Sequence, residues 1–250
     1  MSDFTRLSRA ELEAMAACGA AVAECGRRTS NGILAEILSS GTPVEAWRHY
    51  PADDVYDPST HGQYFYHAHP PGERGSGEHG HFHLFLRARG MPLGVHPLVL
   101  PELAIADSPA APSAPSAPQS HAGGDSDPWS HLVAIAMDAG GLPLRLFTTN
   151  RWVTGETWYR ASDVETMLDR FAVAAGPPLL ARWITGMVGL FKPEIASLIR
   201  ARDEAVMGWR RRRRGKVHVF EDRRLEVTAA LDIDVDAQLR RLDAALRAVA

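Results

Sequence analysis

The chain is 250 residues long, 45% hydrophobic and 23% charged, with a formal net charge of −3. Those values suit a globular protein large enough to bury a sizeable core, and they exclude a general electrostatic pull toward nucleic acid or an anionic membrane. The longest apolar run, Trp183 to Phe191, is too short to cross a bilayer, which leaves a small molecule as the partner class to consider and the oligomeric state open.

Ser8 and Glu11 have capping-box spacing, and Leu12, Met15, Gly19 and Val22 follow at helical intervals. That pattern predicts a helix over residues 9–26. Cys18 and Cys25, the only cysteines, lie on that helix seven residues apart. Two helical turns hold them roughly 10 Å apart, beyond disulfide reach. With an N-terminus that lacks an apolar signal core, this points to a reducing, cytoplasmic setting. A shorter helix is expected from Ile33 to Leu38. His49 to Gly62, which holds Pro51, Asp53, Asp54, Asp57 and Pro58, reads as a loop with Asx turns. Two histidine-bearing strands come next, joined through Pro70 to Gly77 by a connection longer than a tight hairpin turn.

Ala106 to Asp127 is dominated by Ala, Pro, Ser and Gly and has too few apolar groups to offset its ordering entropy. It reads as a disordered surface insertion. A second hairpin is expected from His131 to Asp138 and Leu142 to Thr149, turning at Ala139-Gly140-Gly141. Ser162 and Glu165 form another capping box, opening a helix to about Ala174 that Pro177-Pro178 ends. Further helices are expected over Leu179 to Leu190 and from Pro193, the latter with Ile195, Leu198, Ile199, Val206 and Trp209 on its apolar face. A last pair of strands, Val217 to Phe220 and Leu225 to Leu231, precedes a helix that turns Val235, Leu239, Leu242, Leu246 and Val249 inward. The sum is a single α+β domain over residues 1–250, an antiparallel sheet of about six strands flanked by helices, with residues 106–127 inserted in it.

The chemistry concentrates in the first hairpin. His67, His69, His79, His81 and His83 fall within seventeen residues. Strand side chains alternate faces, so each H-x-H pair presents both rings on one side. Antiparallel pairing with His67 opposite His81 also sets His69 opposite His79 and Phe65 opposite His83, with opposed Cβ atoms about 4.5–5.5 Å apart. Three such corners suit metal–imidazole bonds near 2.1 Å. A nitrogen-rich set with nearby carboxylates suits zinc, iron, nickel or copper. Glu73 and Glu78 in the connecting loop are placed to add an oxygen ligand, to hold an imidazole from behind, or to act as general base. The competing reading is a solvated polar face, with Tyr64, Tyr66, Phe82, Leu84 and Leu86 supplying the buried one.

Three motifs carry resemblances. Gly62, His67, His69, Glu73 and Gly80 resemble the first cupin motif with one residue missing after the first glycine, and Pro92 to His96 echoes the second without its closing Asn. That likeness implies a β-barrel with His67, His69 and Glu73 as metal ligands. His79-Gly80-His81-Phe82-His83-Leu84-Phe85 is similar to the histidine-triad motif, with Gly in place of the first apolar residue. It implies a nucleotide phosphohydrolase with His81 as nucleophile, supported by His79 and His83. The Y-x-Y-H-x-H strand, the E-H-G-H-F-H strand and the later T-T-N-R-W-V-T-G-E stretch together resemble an uncharacterised family of bacterial domains. That third likeness covers most of the chain and implies no activity.

The leading expectation is therefore a divalent transition metal held by His67, His69 and His81, with His83 or His79 next and Glu73 or Glu78 assisting. Whether the protein is an enzyme stays open. If it is, metal-activated water or dioxygen chemistry on a small molecule is the expected class, with His81, Glu73 and Glu78 as catalytic groups. Asn150, Arg151 and Trp152, on the loop after the second hairpin, would bind the substrate. The alternatives are the triad-type phosphohydrolase and a non-enzymatic module that responds to metal or pH. His131 borders the face as a strand-end residue. Arg210 to Arg214 reads as helix-end charge favourable to the dipole rather than a phosphate-binding patch.

Overall fold

A computed structural model describes residues 4–29, 31–38, 44–70, 72–73, 75, 77–100, 127–214 and 218–249. Among them, β1 (Tyr50–Tyr56), β2 (Gly62–His67), β3 (Gly80–Arg87), β4 (Trp129–Met137), β5 (Pro143–Thr149) and β6 (Val227–Asp232) pair in chain order into one antiparallel sheet. The helices are α1 (Arg9–Arg28), α2 (Arg151–Thr154), α3 (Ala161–Leu168), α4 (Pro178–Leu190), α5 (Lys192–Arg212) and α6 (Val235–Ala248). The architecture is the expected α+β one. It is an open sheet, so the barrel implied by the cupin likeness does not form.

Alternation gives the sheet two unlike faces. Tyr64, Tyr66, Phe82, Leu84, Val133, Ile135 and Leu146 point to one side and join the main core with Leu12, Met15 and Val22 of α1 and Trp183, Ile184 and Met187 of α4. The ring of Phe82 lies 6.1 Å from that of Trp183. Helix α1 begins where the sequence places it. Ser8 Oγ accepts from the Glu11 main-chain N–H, while the Glu11 carboxylate accepts from Ser8 N at 2.8 Å. The crossing of α1 and α4 is close enough that a Cβ on Gly186 would stand 2.9 Å from Val22 Cγ2 and 3.1 Å from the Cys18 carbonyl. Glycine there lets the two backbones meet.

Several elements depart from the pattern read in the sequence. Strand β1 forms where a loop was expected. Pro51, Asp53 and Asp54 break its alternation, and its register with β2 shifts between Tyr50 and Val55. An edge strand tolerates both the proline and the irregularity. Helix α3 starts without its local capping box. Its first N–H, from Ala161, is instead accepted by Asp203 of α5 at 2.7 Å, and the helix ends at Leu168, short of Ala174. Only one strand closes the sheet, because Val219–Glu221 is a 3-10 turn and Val217 lies outside the described residues. The sheet still has six strands, with β1 taking the place of that one. In α6, Leu242 is buried, but Val249, just past the helix end, is exposed. The Ala/Pro/Ser/Gly insertion lies outside the described residues except for Asp127, whose carbonyl accepts from Arg87.

The turn between β1 and β2 is set by one carboxylate. Buried Asp57 accepts from Ser59 N at 2.8 Å, Ser59 Oγ at 2.6 Å and Ala174 N at 2.6 Å. The start of β2 is thereby tied to the loop between α3 and α4. Burial alone would raise this carboxyl, but the donors of Ser59 and Ala174 hold it far below the usual carboxylate range. Because its folded pKa is depressed, its stabilisation is present above the unfolded value near 4 and is lost as pH falls below that value. Asp57→Ala should therefore cost about 2–4 kcal/mol at pH 7 in urea unfolding. The deficit should shrink on acidification, and a deficit that is constant from pH 7 to pH 3 would contradict this account.

Candidate metal centre

The second face of the sheet carries the imidazoles. In the β2–β3 ladder His67 stands opposite His81 and Phe65 opposite His83. The ring centroids of His67, His81 and His83 are 4.5, 4.8 and 5.2 Å apart. One ligand nitrogen from each of the three lies within 4.8 Å of the others. All three side chains are buried, so this face is interior rather than solvated.

Carboxylates and neighbouring rings fix how the imidazoles present themselves. Glu78 Oε1 lies 2.8 Å from His81 Nδ1, and the His81 Nε2 faces His67 Nε2 at 2.7 Å. A carboxylate takes the proton-bearing nitrogen, which leaves the other nitrogen as the acceptor or ligand. His69 borders the group, its ring 5.1 Å from His67 and 5.2 Å from His81, and its Nδ1 is 3.5 Å from Glu73 Oε2. Glu73 itself is half exposed. The Trp47 ring closes this end, 4.0 Å from His69 and 6.0 Å from His67.

His79 stands apart from the others. The β2–β3 ladder ends at the His67–His81 pair, and the His79 Nδ1 instead meets the hydroxyl of Tyr66, at 2.6 Å, on the opposite side of the sheet. Gly80 makes this possible, since a Cβ there would lie 2.4 Å from the His67 carbonyl and 2.6 Å from Tyr66 Oη. The expected H-x-H-x-H presentation therefore becomes H-x-H, and the His69–His79 pairing is absent from the ladder.

Two further histidines join the face, His131, expected at its border, and His49, which was not expected there. His49, read as part of a solvated loop, is buried and stacks on Phe65 with centroids 3.8 Å apart. Asp54 Oδ1 takes its Nδ1 at 2.8 Å, and the chain of contacts continues through Gln63 to Arg87. His131 lies on β4 with its Nε2 3.1 Å from His83 Nδ1. Burial, and then the neighbouring rings beginning with His81, drive His83 well below an ordinary imidazole. Burial and then Arg202 push His131 down to about 3. Both shifts favour the neutral ring.

The stretch after β5, expected as a loop, forms α2 with Asn150 as its N-cap, and it is anchored away from these contacts. Asn150 Nδ2 donates to the Val219 carbonyl at 2.8 Å, Arg151 Nε donates to Glu221 at 2.8 Å, and Trp152 Nε1 donates to the Leu225 carbonyl at 2.9 Å. All three fasten residues 219–225 to the sheet end. Glu156, the last residue of the same stretch, points the other way, and its Oε2 accepts from His131 N at 2.8 Å. Composition gave no sign of His49 or Glu156. Their signal is the partner each one finds in three dimensions.

Burial raises the Glu156 carboxyl to about 7, against the opposing pull of Arg202 and of the His131 N–H. A carboxyl whose folded pKa is raised holds a proton that the unfolded chain has released. It therefore subtracts stability as pH rises from about 4.5 through 7. Relative to the parent, Glu156→Gln should gain on the order of 3 kcal/mol between pH 4 and pH 8. Parallel pH-dependent curves for the two proteins in denaturant melts would refute the buried-acid assignment.

No curated protein and no solved structure matches this chain. Residues 10–233, which include every strand and all the histidines of the centre, match the family described as Domain of unknown function (DUF6969), and the chain belongs to that family.

Proposed function

We propose that this protein binds one divalent transition-metal ion through His67, His81 and His83, with Glu78 holding His81 from behind. The observation that carries the reading is the convergence of three buried imidazoles, each with a ligand nitrogen within 4.8 Å of the others. The donor chemistry fits. Neutral imidazole is a common ligand for zinc, iron, nickel and copper, and a carboxylate behind it raises its basicity and fixes its tautomer. Bonds of about 2.0–2.1 Å place two tetrahedral ligand nitrogens about 3.3 Å apart. The His67–His81 pair, at 2.7 Å, therefore has to open slightly on loading.

A resident ion of this class supplies Lewis acidity or redox chemistry to a small-molecule substrate. In this reading His69 stands at the edge as a reserve ligand. Glu73, half exposed and beside His69, is the carboxylate able to exchange a proton with solvent. The triad-type phosphohydrolase asks His81 for a nitrogen directed at a phosphate, whereas its Nδ1 here faces Glu78 and its Nε2 faces His67. For that reason we place His81 among the ligands. Asn150, Arg151 and Trp152 are engaged with residues 219–225, so we assign them to holding the sheet end.

Protein purified without a His-tag or a nickel column should carry near-stoichiometric transition metal by elemental analysis. A saturating ion should raise stability by about 2.7 kcal/mol at one hundred times its Kd. The His67→Ala/His81→Ala double variant should lose the metal, and Glu78→Gln should weaken binding about 10–100-fold while keeping the fold. Metal-free protein whose melting is unchanged by zinc, iron(II), nickel or copper would overturn the proposal.

A further inference from the structure

We infer that the end of α5 and the 222–225 turn form a surface that binds single-stranded nucleic acid. Arg211, Arg212, Arg214 and Arg223 take its phosphates, and its bases stack beside Trp209 and Trp152. This surface needs no bound metal.

Residues 209–226 hold seven arginines and three acids, in a chain whose net charge is −3. In the sequence, Arg210 to Arg214 reads as helix-end charge. A helix C-terminus, however, presents only about half a negative charge, far less than five guanidinium groups carry. The fold then adds to the run what its sequence neighbourhood lacks. Trp209 Nε1 donates to Asp222 Oδ2 at 2.9 Å, Arg224 Nη2 lies 2.7 Å from the same oxygen and Arg213 Nε 3.8 Å from it. Through this one buried carboxylate, the end of α5 is joined to the turn that carries Arg223 and Arg224. Two basic segments become one surface.

Two of the three acids are already engaged. Asp222 is shared by Arg213 and Arg224, and Glu221 pairs with Arg151 at 2.6 Å. Arg211, Arg212, Arg214 and Arg223 are all exposed, and among the described residues no carboxylate lies within ion-pair distance of them. Four guanidinium groups therefore face outward with their forked N–H donors uncommitted. That fork matches a phosphate oxygen pair better than an ammonium does.

The indoles favour single strands among phosphate-bearing partners. Arg212 and Arg213 stand 5.2 and 5.3 Å from the centroid of Trp209, and Arg223 stands 5.5 Å from that of Trp152. Both rings are partly exposed. Each is held by its own N–H, that of Trp209 to Asp222 and that of Trp152 to the Leu225 carbonyl at 2.9 Å. Guanidinium groups packed with fixed indole rings provide a platform on which unpaired bases stack without sequence preference. A duplex keeps its bases from such rings. A bilayer calls for apolar side chains free to extend into it, and these two are tethered inward.

Fluorescence anisotropy of the full chain with labelled oligo(dT) and oligo(U) tests the surface, and the tighter of the two identifies DNA or RNA as the strand it prefers. With about 0.7 counterions released per phosphate, four contacts should weaken binding about 50-fold between roughly 50 and 200 mM salt. The Arg211→Gln/Arg223→Gln variant leaves the Asp222 contacts intact, so its melting should match the parent. Its log–log salt slope should fall by about 1.4. An abasic phosphodiester strand of equal length should bind about tenfold more weakly, through loss of stacking. No binding at the lower salt, an unchanged slope in the variant or equal affinity for the abasic strand would each overturn the inference. So would tighter binding to phosphatidylglycerol vesicles or to a duplex of the same length, which would make the surface a membrane or duplex contact instead.

Discussion

The imidazole centre depends on a single register, His67 opposite His81. Side chains of a strand alternate with period two, so a slip by one residue would carry every ring to the other face. The register is enforced from behind. Tyr64, Tyr66, Phe82 and Leu84 are fully buried against the helices, and each such side chain contributes about 1.5–3 kcal/mol on burial. A slipped ladder would bring imidazoles against Trp183 and remove the aromatic layer from the core. The hydrophobic face thus specifies the position of the polar one.

Holding several imidazoles inside a protein is costly unless their nitrogens are occupied. Three devices meet that need across neighbouring strands. Asp54 takes His49, Glu78 takes His81, and His131 takes His83. Phe65 stacks on His49, and Phe147 presents its edge 5.0 Å from His81, so the surroundings between these polar links are apolar. In such a setting a satisfied network is rigid, whereas a missing partner is expensive. The order of the centre follows from that asymmetry.

Much of this was legible in the sequence, for local reasons. Helix α1 follows from Ser8, Glu11 and the spacing of Leu12, Met15 and Val22, while β2 through β5 follow from alternation and turns. The register at His67 and His81 follows from matching H-x-H pairs across one loop. What was missed depends on contacts distant in sequence. Strand β1 is irregular and is recruited by pairing with β2, and the cap of α3 comes from Asp203, some forty residues downstream. His79 leaves the face because the β2–β3 ladder ends at the His67–His81 pair, an end that composition does not mark. His131, expected at the border of the face, is brought against His83 by a bulge, and bulges are not visible as a periodicity.

Those last two residues carry the physical lesson of the site. His79 sits in the motif and His131 sits outside it, yet the sheet sends the first away and brings the second in. One glycine permits the departure, because only the absence of a Cβ lets Tyr66 reach across Gly80 to His79. One extra residue, Leu132, compels the arrival. The local spacing of histidines is thus a record of strand geometry before it is a record of coordination. The group that matters is the one that shares a face, a burial depth and a set of hydrogen-bond partners. By that measure the centre is built on three strands rather than a hairpin, and β4 belongs to it as fully as β2 and β3.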